Sequence, residues 1–333
     1  MSWFSDLTGF DELDYERTRD RLEVAGTTLR SRVNGRSFEI GTLETPTLAE
    51  LRARAAEVAP RVAGKLLVSQ VVGDAGELHR DPVNRGALFQ VASQFNLLEM
   101  TGPDVTPEDG VTRYAWDRTQ GPACAIAAGA ATIYRNYFVP VDGGSGQTAS
   151  RQINCLRDVG VALGHPAEGL WAMRNGYALC SSSGLARIDD VLGAMTTAEV
   201  DVVRDGLRVG VHSEVEVTGG PVSGLRVSQV FVSALPVAYT RIPASRWARC
   251  ATLVLEGAYE ATLLAGVLNA ARTGSRVVYL TRVGGGAFGN ETTWIDDAIR
   301  RALTEVEGSG LDVRLVSYGK RDRGFEEMVT RTT

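Results

Sequence analysis

The residues best suited to chemistry form a glycine-rich run between an apolar, strand-like stretch and the start of a helix. Residues 282–290 read Arg-Val-Gly-Gly-Gly-Ala-Phe-Gly-Asn. Glycine lets the backbone bring bare N–H groups against a ligand, and a helix that begins near Thr292 points its positive end at the same place. A tight turn that binds nothing is an equally good interpretation of this run alone. The binding interpretation predicts a phosphate or pyrophosphate loop formed by Gly284, Gly285, Gly286, Ala287, Phe288, Gly289 and Asn290.

A second segment with similar potential spans residues 119–126, Thr-Gln-Gly-Pro-Ala-Cys-Ala-Ile. The pattern predicts a helix over 121–134, with Gly121 as its cap and Pro122 at its first position, where the missing N–H costs nothing. Small side chains in the first turn suit the close approach of a ligand. Cys124 could be an activated thiol or a small buried core residue, and the second interpretation is favoured.

Three carboxylates lie near these two segments in the sequence. Glu99 and Asp117 flank the approach to the predicted helix, and Glu291 follows the glycine-rich run. A carboxylate can orient or deprotonate a water molecule that attacks a substrate. Most carboxylates on loops are only solvated, so simple solvation remains the alternative for each of them.

Composition narrows the class of protein. The chain has 333 residues, 44% of them hydrophobic and 23% charged, with a formal net charge of -5. No basic stripe dominates, which argues against electrostatic binding of nucleic acid. We expect no signal peptide, no transmembrane stretch and a cytoplasmic location. Four widely spaced cysteines and three histidines predict neither a disulfide framework nor a zinc site, and we expect no cofactor; a metal held by scattered carboxylates stays open.

The pattern of elements after residue 65 predicts the fold class. Apolar strand-like runs alternate with helical periodicity, which is typical of an α/β sandwich with much of its sheet parallel. The predicted strands are 66–72, 87–96, 225–235, 276–281 and 313–317, and the predicted helices are 121–134, 250–271 and 293–307.

Two further regions are predicted to be additions to this core. Residues 1–62 form an N-terminal extension, with a hairpin around Asn34-Gly35 and a helix that begins with the capping box of Thr47 and Glu50 and ends at Pro60. Residues 139–224 form an insertion or accessory layer. Its predicted elements are helices at 151–163 and 188–205 and a half-exposed strand at 207–217. The core itself is expected to span 63–138 and 225–325.

The order of elements and four short motifs resemble the macrodomains, α/β modules that bind ADP-ribose and in some members hydrolyse ADP-ribosyl bonds. The resemblance covers roughly residues 65–138 and 225–320. It implies a three-layer, macrodomain-like sandwich with a mixed, largely parallel sheet. The motif counterparts are Val-Val-Gly-Asp-Ala-Gly at 71–76, Ala-Ser-Gln-Phe-Asn at 92–96, residues 119–126, and Val-Gly-Gly-Gly-Ala-Phe-Gly at 283–289.

The resemblance also implies roles for individual residues. Asp74, beside Ala75, would accept a hydrogen bond from the adenine amino group, or would only cap a turn. Asn96 would bind the distal ribose, or would only pin its own loop. Phe288 would pack over the ribose and phosphate, or would be a core residue. Tyr318 would stack on adenine, and the first loop would be Gly121, Pro122 and Ala123.

Departures from the family pattern bear on activity more than on binding. Ser93 stands nearest the place of the first asparagine of the Asn-Ala-Ala-Asn motif, and the first loop keeps only Gly121. The aspartate that many members carry does not follow Gly121, and no pair of adjacent glutamates lies beside either glycine-containing loop. We therefore predict a protein that binds ADP-ribose or an ADP-ribosylated substrate and hydrolyses an ADP-ribosyl bond, with Asn96, Glu99 and Asp117 as catalytic candidates. A non-catalytic binding module and a structural protein are the alternatives, and the group joined to ADP-ribose stays open.

Overall fold

Within residues 2–332, which the computed structural model describes, the chain forms fourteen strands and twelve α-helices. The first part contains α1 (Trp3–Thr8), α2 (Tyr15–Asp20), β1 (Leu22–Ala25), β2 (Thr28–Ser31), β3 (Ser37–Glu39), β4 (Thr42–Glu44) and α3 (Leu48–Val62). The next part contains β5 (Leu67–Val72), α4 (Ala75–Arg80), β6 (Leu88–Ala92), α5 (Gln120–Ala127) and α6 (Gly129–Tyr137).

The middle of the chain contains shorter elements: β7 (Pro140–Val141), β8 (Gly144–Ser145), α7 (Arg157–Ala162), β9 (Trp171–Arg174), β10 (Tyr177–Cys180), α8 (Ser182–Ala194) and α9 (Thr197–Asp205). The last part contains β11 (Gly210–Glu216), β12 (Arg226–Val232), α10 (Ala248–Thr273), β13 (Val277–Leu280), α11 (Thr292–Glu305), β14 (Asp312–Ser317) and α12 (Arg323–Thr332).

A seven-stranded sheet joins distant parts of the chain in the order β4-β11-β12-β6-β13-β14-β5. The five strands from β12 to β5 are parallel, and β11 is antiparallel to both β12 and β4. Parallel neighbours require crossover connections, and here the crossovers are helices. The predicted α/β fold with a mixed, largely parallel sheet is confirmed.

The sheet lies between two helical layers because successive side chains on each strand point to opposite faces. Leu88, Leu280 and Leu315 point to the face covered by α3, α10 and α11. Phe89 and Tyr279 point to the other face, where α4, α5 and α6 pack. Burying each such side chain contributes roughly 1.5–3 kcal/mol to stability. The predicted three-layer sandwich is therefore present.

Helix α10 is the central helix of one layer. It is long and apolar enough to cross a membrane by length and composition, and 78% of its most apolar window is buried inside the protein. It packs against α3, α11 and three strands of the sheet. This burial on all sides explains why its apolar residues do not follow a single stripe.

The N-terminal part adds a small three-stranded sheet to the core. The predicted hairpin is confirmed, because β2 and β3 pair antiparallel with Leu29 opposite Phe38. Together with α1 and α2 this unit buries Phe4, Phe10 and other apolar side chains against α5 and α6. The helix with the Thr47–Glu50 capping box is also present, but it continues past Pro60 to its end at residue 62. Proline is tolerated there because it lies in the last, exposed turn.

The central sheet includes strands from outside the predicted core. Strand β4 comes from the expected N-terminal extension and β11 from the expected insertion, yet both belong to the central sheet. The run at 207–217 was expected to be half exposed, whereas most of β11 is buried. Strand β4 pairs with the outer edge of β11, and helix α6 packs against it.

Several predicted boundaries are wrong, both in the expected core and in the expected accessory layer. Strand β6 ends at residue 92 instead of 96. The helix predicted over 121–134 begins at Gln120 and is broken at Ala128 into α5 and α6. Thr119 is therefore the cap, and Gly121 and Pro122 are the second and third residues of the helix. The helix predicted over 151–163 is reduced to α7, and that over 188–205 is two helices, α8 and α9.

Candidate functional site

The sheet opens between two neighbouring parallel strands, β6 and β13, at their carboxyl ends. Their backbone pairing extends only to Phe89 opposite Tyr279. Beyond that point the side-chain amide of Gln120 takes the place of a strand. Its oxygen accepts from the N–H of Ala92 at 2.8 Å, and its nitrogen donates to the carbonyl of Gln90 at 2.6 Å. Ligands in open α/β sheets bind in such a crevice outside the carboxyl ends of the strands.

A cavity of about 320 Å³ lies over this opening and brings together segments that are far apart in the sequence. The end of β6, the first turn of α5, the loop after β12 and the glycine-rich run after β13 all contribute to its wall. Eight of the predicted site residues line it: Glu99, Asp117, Gly121, Pro122, Gly284, Gly286, Ala287 and Phe288.

A second cavity of about 280 Å³ shares Thr119 and Gln120 with the first. Four further predicted residues line it: Asp74, Ala75, Ala123 and Tyr318. Asp74 caps α4, because one carboxylate oxygen accepts from the N–H of Glu77 at 3.1 Å. Asp74 therefore caps a helix, as its alternative interpretation predicts, and also lines the second cavity. The two cavities form neighbouring compartments on either side of the first turn of α5.

Both ends of the glycine-rich run pack closely against residues 234–238, which follow strand β12. Gly284 and Gly289 have φ of +81° and +69°, and an added Cβ would lie 2.4 Å from Ala234 or 2.7 Å from Ala238, so only glycine fits at both positions. Asn290 is buried, and its side-chain amide donates to the carbonyl of Leu235 at 2.8 Å. Gly289 and Asn290 therefore shape the loop from outside the cavity.

The middle of the run is free to bind a ligand. Among the described residues, no acceptor pairs with the backbone N–H of Gly286, Ala287 or Phe288. Gly285 is exposed and its N–H is already bonded to the carbonyl of Arg282 at 3.2 Å, so it is placed outside the cavity wall. Successive backbone N–H groups without an acceptor are the kind of donors that can bind an anion.

Helix α5 presents a second set of donors across the opening. The N–H groups of Gln120 and Gly121 have no acceptor in the part of the chain that the structure describes. A Cβ at Gly121 would lie 2.0 Å from the carbonyl oxygen of Ala92, so glycine is required for the helix to begin this close to β6. The positive end of the eight-residue helix thus lies at the cavity.

Glu99 is a buried carboxyl that lines the first cavity. Its side chain is about 1% exposed and lies 3.3 Å from Nη2 of Arg135, which is completely buried behind it. Burial raises the pKa of the Glu99 carboxyl to about 7, although Arg135 and the hydroxyl of Tyr114 oppose the shift. A group with such a pKa exchanges a proton readily at neutral pH, which suits general acid–base chemistry.

The raised pKa of Glu99 predicts a pH-dependent stability. The ordinary pKa is 4.5 and the folded value is about 7, so the folded protein holds this proton more tightly than the unfolded chain does. The associated stability is present below the unfolded pKa and is lost as pH rises through the folded pKa. Relative to Glu99→Gln, the free energy of unfolding of the wild type is expected to fall by about 2 kcal/mol between about pH 5 and about pH 7.5.

Urea unfolding of both proteins at a series of pH values measures this difference. The comparison with Glu99→Gln cancels the titration of every group that the two proteins share. A difference that stays constant across the pH range would show that Glu99 titrates at its ordinary pKa.

Asn96 is not at the cavity. It is completely buried, its amide nitrogen donates to Gln152 at 3.0 Å and its amide oxygen accepts from the N–H of Leu98 at 3.1 Å. Both polar atoms therefore hold the loop together, as in the alternative interpretation of this residue. Asn96 therefore lines neither cavity, in contrast to the position predicted for it. Asp117 lines the cavity and accepts from the N–H of Thr119 at 2.8 Å.

Three aromatic rings form one wall of the first cavity. The ring centroids of Tyr177, Tyr239 and Phe288 lie 5.3 to 5.5 Å from one another. Sequence reasoning identified only Phe288. Tyr177 follows Asn175-Gly176, the turn between β9 and β10, and this dipeptide between two apolar runs was the available hairpin signal.

Other candidate groups are placed away from any reactive position. Cys124 is completely buried, and burial raises the pKa of its thiol well above the ordinary value, so it is a core residue. All four cysteines are free and buried. Glu291 is the N-cap residue of α11, but its side chain forms no capping hydrogen bond within residues 2–332. It is exposed and lines neither cavity. Across residues 2–332, no group of three or more His, Cys, Asp or Glu could hold a metal ion.

Comparisons with known proteins give weak similarities. No known family model matches the chain, and no curated protein matches it. Poly(ADP-ribose) glycohydrolase from Deinococcus radiodurans in complex with ADP-ribose has a TM-score of 0.45 and 10% identity over 87% of this chain and 93% of that chain. The enzyme from Thermomonospora curvata bound to the inhibitor ADP-HPD has a TM-score of 0.41 and 11% identity over 96% of each chain.

Proposed function

We propose that the two cavities bind ADP-ribose, or an ADP-ribosyl group on a larger substrate, and that the protein hydrolyses the bond to that group. The observation that carries this proposal is that two sets of backbone N–H groups, without an acceptor among the described residues, belong to residues that line the first cavity. One set is the N–H groups of Gly286, Ala287 and Phe288, and the other is those of Gln120 and Gly121. A pyrophosphate suits this arrangement because backbone amides and a helix N-terminus stabilise anions without a basic side chain.

The adenosine and the distal ribose of ADP-ribose are then each assigned to one of the two cavities. The adenosine end lies in the second cavity, where Asp74 supplies a carboxylate oxygen and Tyr318 a largely exposed ring. Both residues have these roles in the macrodomain resemblance found in the sequence. The distal ribose lies in the first cavity, beside Glu99 and the wall of Tyr177 and Phe288.

In the proposed reaction, water attacks the anomeric carbon of the distal ribose. Glu99 in its ionised form takes a proton from this water as the new carbon–oxygen bond forms. The bond between the anomeric carbon and the departing group breaks, and that group leaves with the bonding electron pair. The departing group takes up a proton from solvent water at the first cavity, which Asp117 also lines, and Glu99 afterwards returns its proton to solvent.

Calorimetric titration tests the binding half of this proposal. We expect ADP-ribose to bind more tightly than AMP, because AMP reaches only one cavity and lacks the pyrophosphate. At a concentration of roughly 100 times its dissociation constant, ADP-ribose should add about 2.7 kcal/mol to the free energy of unfolding. ATP and NAD serve as comparators with the same adenosine. Equal binding of all four ligands, or of none, would contradict the assignment of the two cavities.

A non-catalytic binding module is the second candidate, and one observation favours it. The carboxylate of Glu99 is already paired with Arg135, as in a structural ion pair. In that case ADP-ribose would bind as proposed, and no ADP-ribosyl bond would be hydrolysed at any pH. Turnover assays on the wild type and on Glu99→Gln separate the two candidates.

A further inference from the structure

Arg135 is buried on every side and fixes the loop that carries Glu99. Its Nε donates to the carbonyl of Leu97 at 3.0 Å, and its Nη2 donates to the hydroxyl of Thr132 at 3.1 Å. The guanidinium lies 3.8 Å over the ring of Phe231. It does not line the cavity, so it contacts Glu99 only from behind.

The loop that Arg135 holds is strained. Leu97 has φ of +65°, a conformation that is unfavourable for a residue with a branched side chain. Strain of this kind persists only where the surroundings fix the conformation, and it concentrates at functional sites. The hydrogen bond from Arg135 to the carbonyl of Leu97 supplies such a constraint, two residues before Glu99.

Arg135 also carries the charge that acts on Glu99. Among the titratable groups that face the pair, burial keeps Tyr114, Cys124 and His212 uncharged at neutral pH, because it moves the pKa of each away from 7. Within residues 2–332, Nη1 of Arg135 has no hydrogen-bond partner. Asp117 lies on the same cavity but contacts neither member of the pair in the described part of the chain.

We infer that Arg135 is a positioning residue that fixes both the place of the Glu99 carboxyl in the cavity and the pH at which this carboxyl loses its proton. The inference rests on the proposed function, in which ionised Glu99 accepts a proton from water. A neighbouring cation favours the ionised carboxylate, and a fully buried cation is poorly screened. Burial alone would otherwise hold Glu99 protonated at neutral pH.

Two substitutions separate the charge from the geometry. Arg135→Met removes the cation, so the pH at which Glu99 titrates should rise by about one to three units. Arg135→Lys keeps a charge but cannot bond Leu97 and Glu99 together. We therefore expect Arg135→Lys to lower kcat at least tenfold, while its pH dependence stays within about half a unit of the wild type.

Two measurements are needed for each protein. Infrared difference spectra against Glu99→Gln follow the carboxyl without substrate, and the pH profile of kcat/KM follows the reaction. Identical pH dependence in folded Arg135→Met and wild type would overturn the inference, whereas a purely structural role predicts lower activity without any shift. If Arg135→Met does not fold, the wild type decides, since a Glu99 carboxyl still protonated at pH 9 would show that Arg135 does not hold it ionised.

Failure of the inference can be told apart from failure of the proposed function. A wild type that hydrolyses no ADP-ribosyl substrate, with a carboxyl titration that still moves in Arg135→Met, overturns the function and retains the effect of Arg135 on Glu99. An active wild type whose profile is unchanged in both variants overturns the inference alone.

Discussion

Replacing Glu99 by glutamine is expected to lower kcat for hydrolysis of an ADP-ribosyl bond by roughly 10²–10⁴-fold, with ADP-ribose affinity changed only a few-fold. The amide has nearly the same shape as the carboxyl, and its oxygen can still accept from Arg135, but it cannot take a proton from water. In the proposed site, the two sets of backbone donors hold most of the ligand, so binding should persist. Single-turnover kinetics and calorimetric titration measure the two quantities separately.

Glu260→Gln is the matched control for this experiment. Glu260 is also a buried glutamate, with a side chain about 3% exposed, and it is paired with Arg52 and Arg301. It lies outside both cavities of the site. This variant should lose stability because two half-buried arginines lose a charged partner, while kcat of the folded protein stays unchanged. Equal losses of kcat in both variants would mean that Glu99 acts only through stability.

Replacing Gly286 by glutamate is expected to weaken ADP-ribose binding about 100-fold, or about 2.7 kcal/mol. Gly286 lines the cavity, and no atom lies within 4 Å of a Cβ built there, so a side chain can be accommodated without distorting the loop. The new carboxylate would lie against the three free N–H groups and compete with the pyrophosphate. Calorimetric titration at two ionic strengths measures the effect, which should weaken as salt increases.

Two control variants make this result specific. Gly286→Gln has the same size without the charge, and its affinity should fall less than tenfold. Gly308→Glu adds the same charge beyond the far end of α11, at an exposed glycine that also has open space around it, and its affinity should not change. Equal losses for glutamate and glutamine at residue 286 would indicate a steric effect and would argue against an anion at this loop.

Local features of the fold could be predicted because their physical causes are local. Strand β13, the glycines after it and the helix α11 follow one another within about thirty residues, and each has its own backbone preference. The hairpin around Asn34-Gly35 and the capping box of Thr47 and Glu50 are of the same kind. Alternation of such elements was enough to predict the α/β class. Twelve of the predicted site residues line the two cavities.

Contacts between residues far apart in the sequence could not be predicted from local sequence patterns. Gln120 closes the gap beside β6 although 30 residues separate it from Gln90, and Arg135 pairs with Glu99 across 36 residues. Neither side chain carries a local pattern that distinguishes it from an exposed polar residue. Strands β4 and β11 were assigned outside the core for the same reason, because sheet membership depends on which distant strand is adjacent.

By itself, the sequence determined the class of fold, the two glycine-containing segments and the carboxylates available to them, since backbone preferences and hydrophobic periodicity act over a few residues. Only the tertiary structure decided how these parts are used. In the folded protein, Glu99 lines the cavity, whereas Asn96 forms hydrogen bonds within its own loop and with Gln152. Arg135 is buried against Glu99. Burial and charge pairing depend on segments that meet only in the folded protein, and these two properties set the chemistry of a carboxyl.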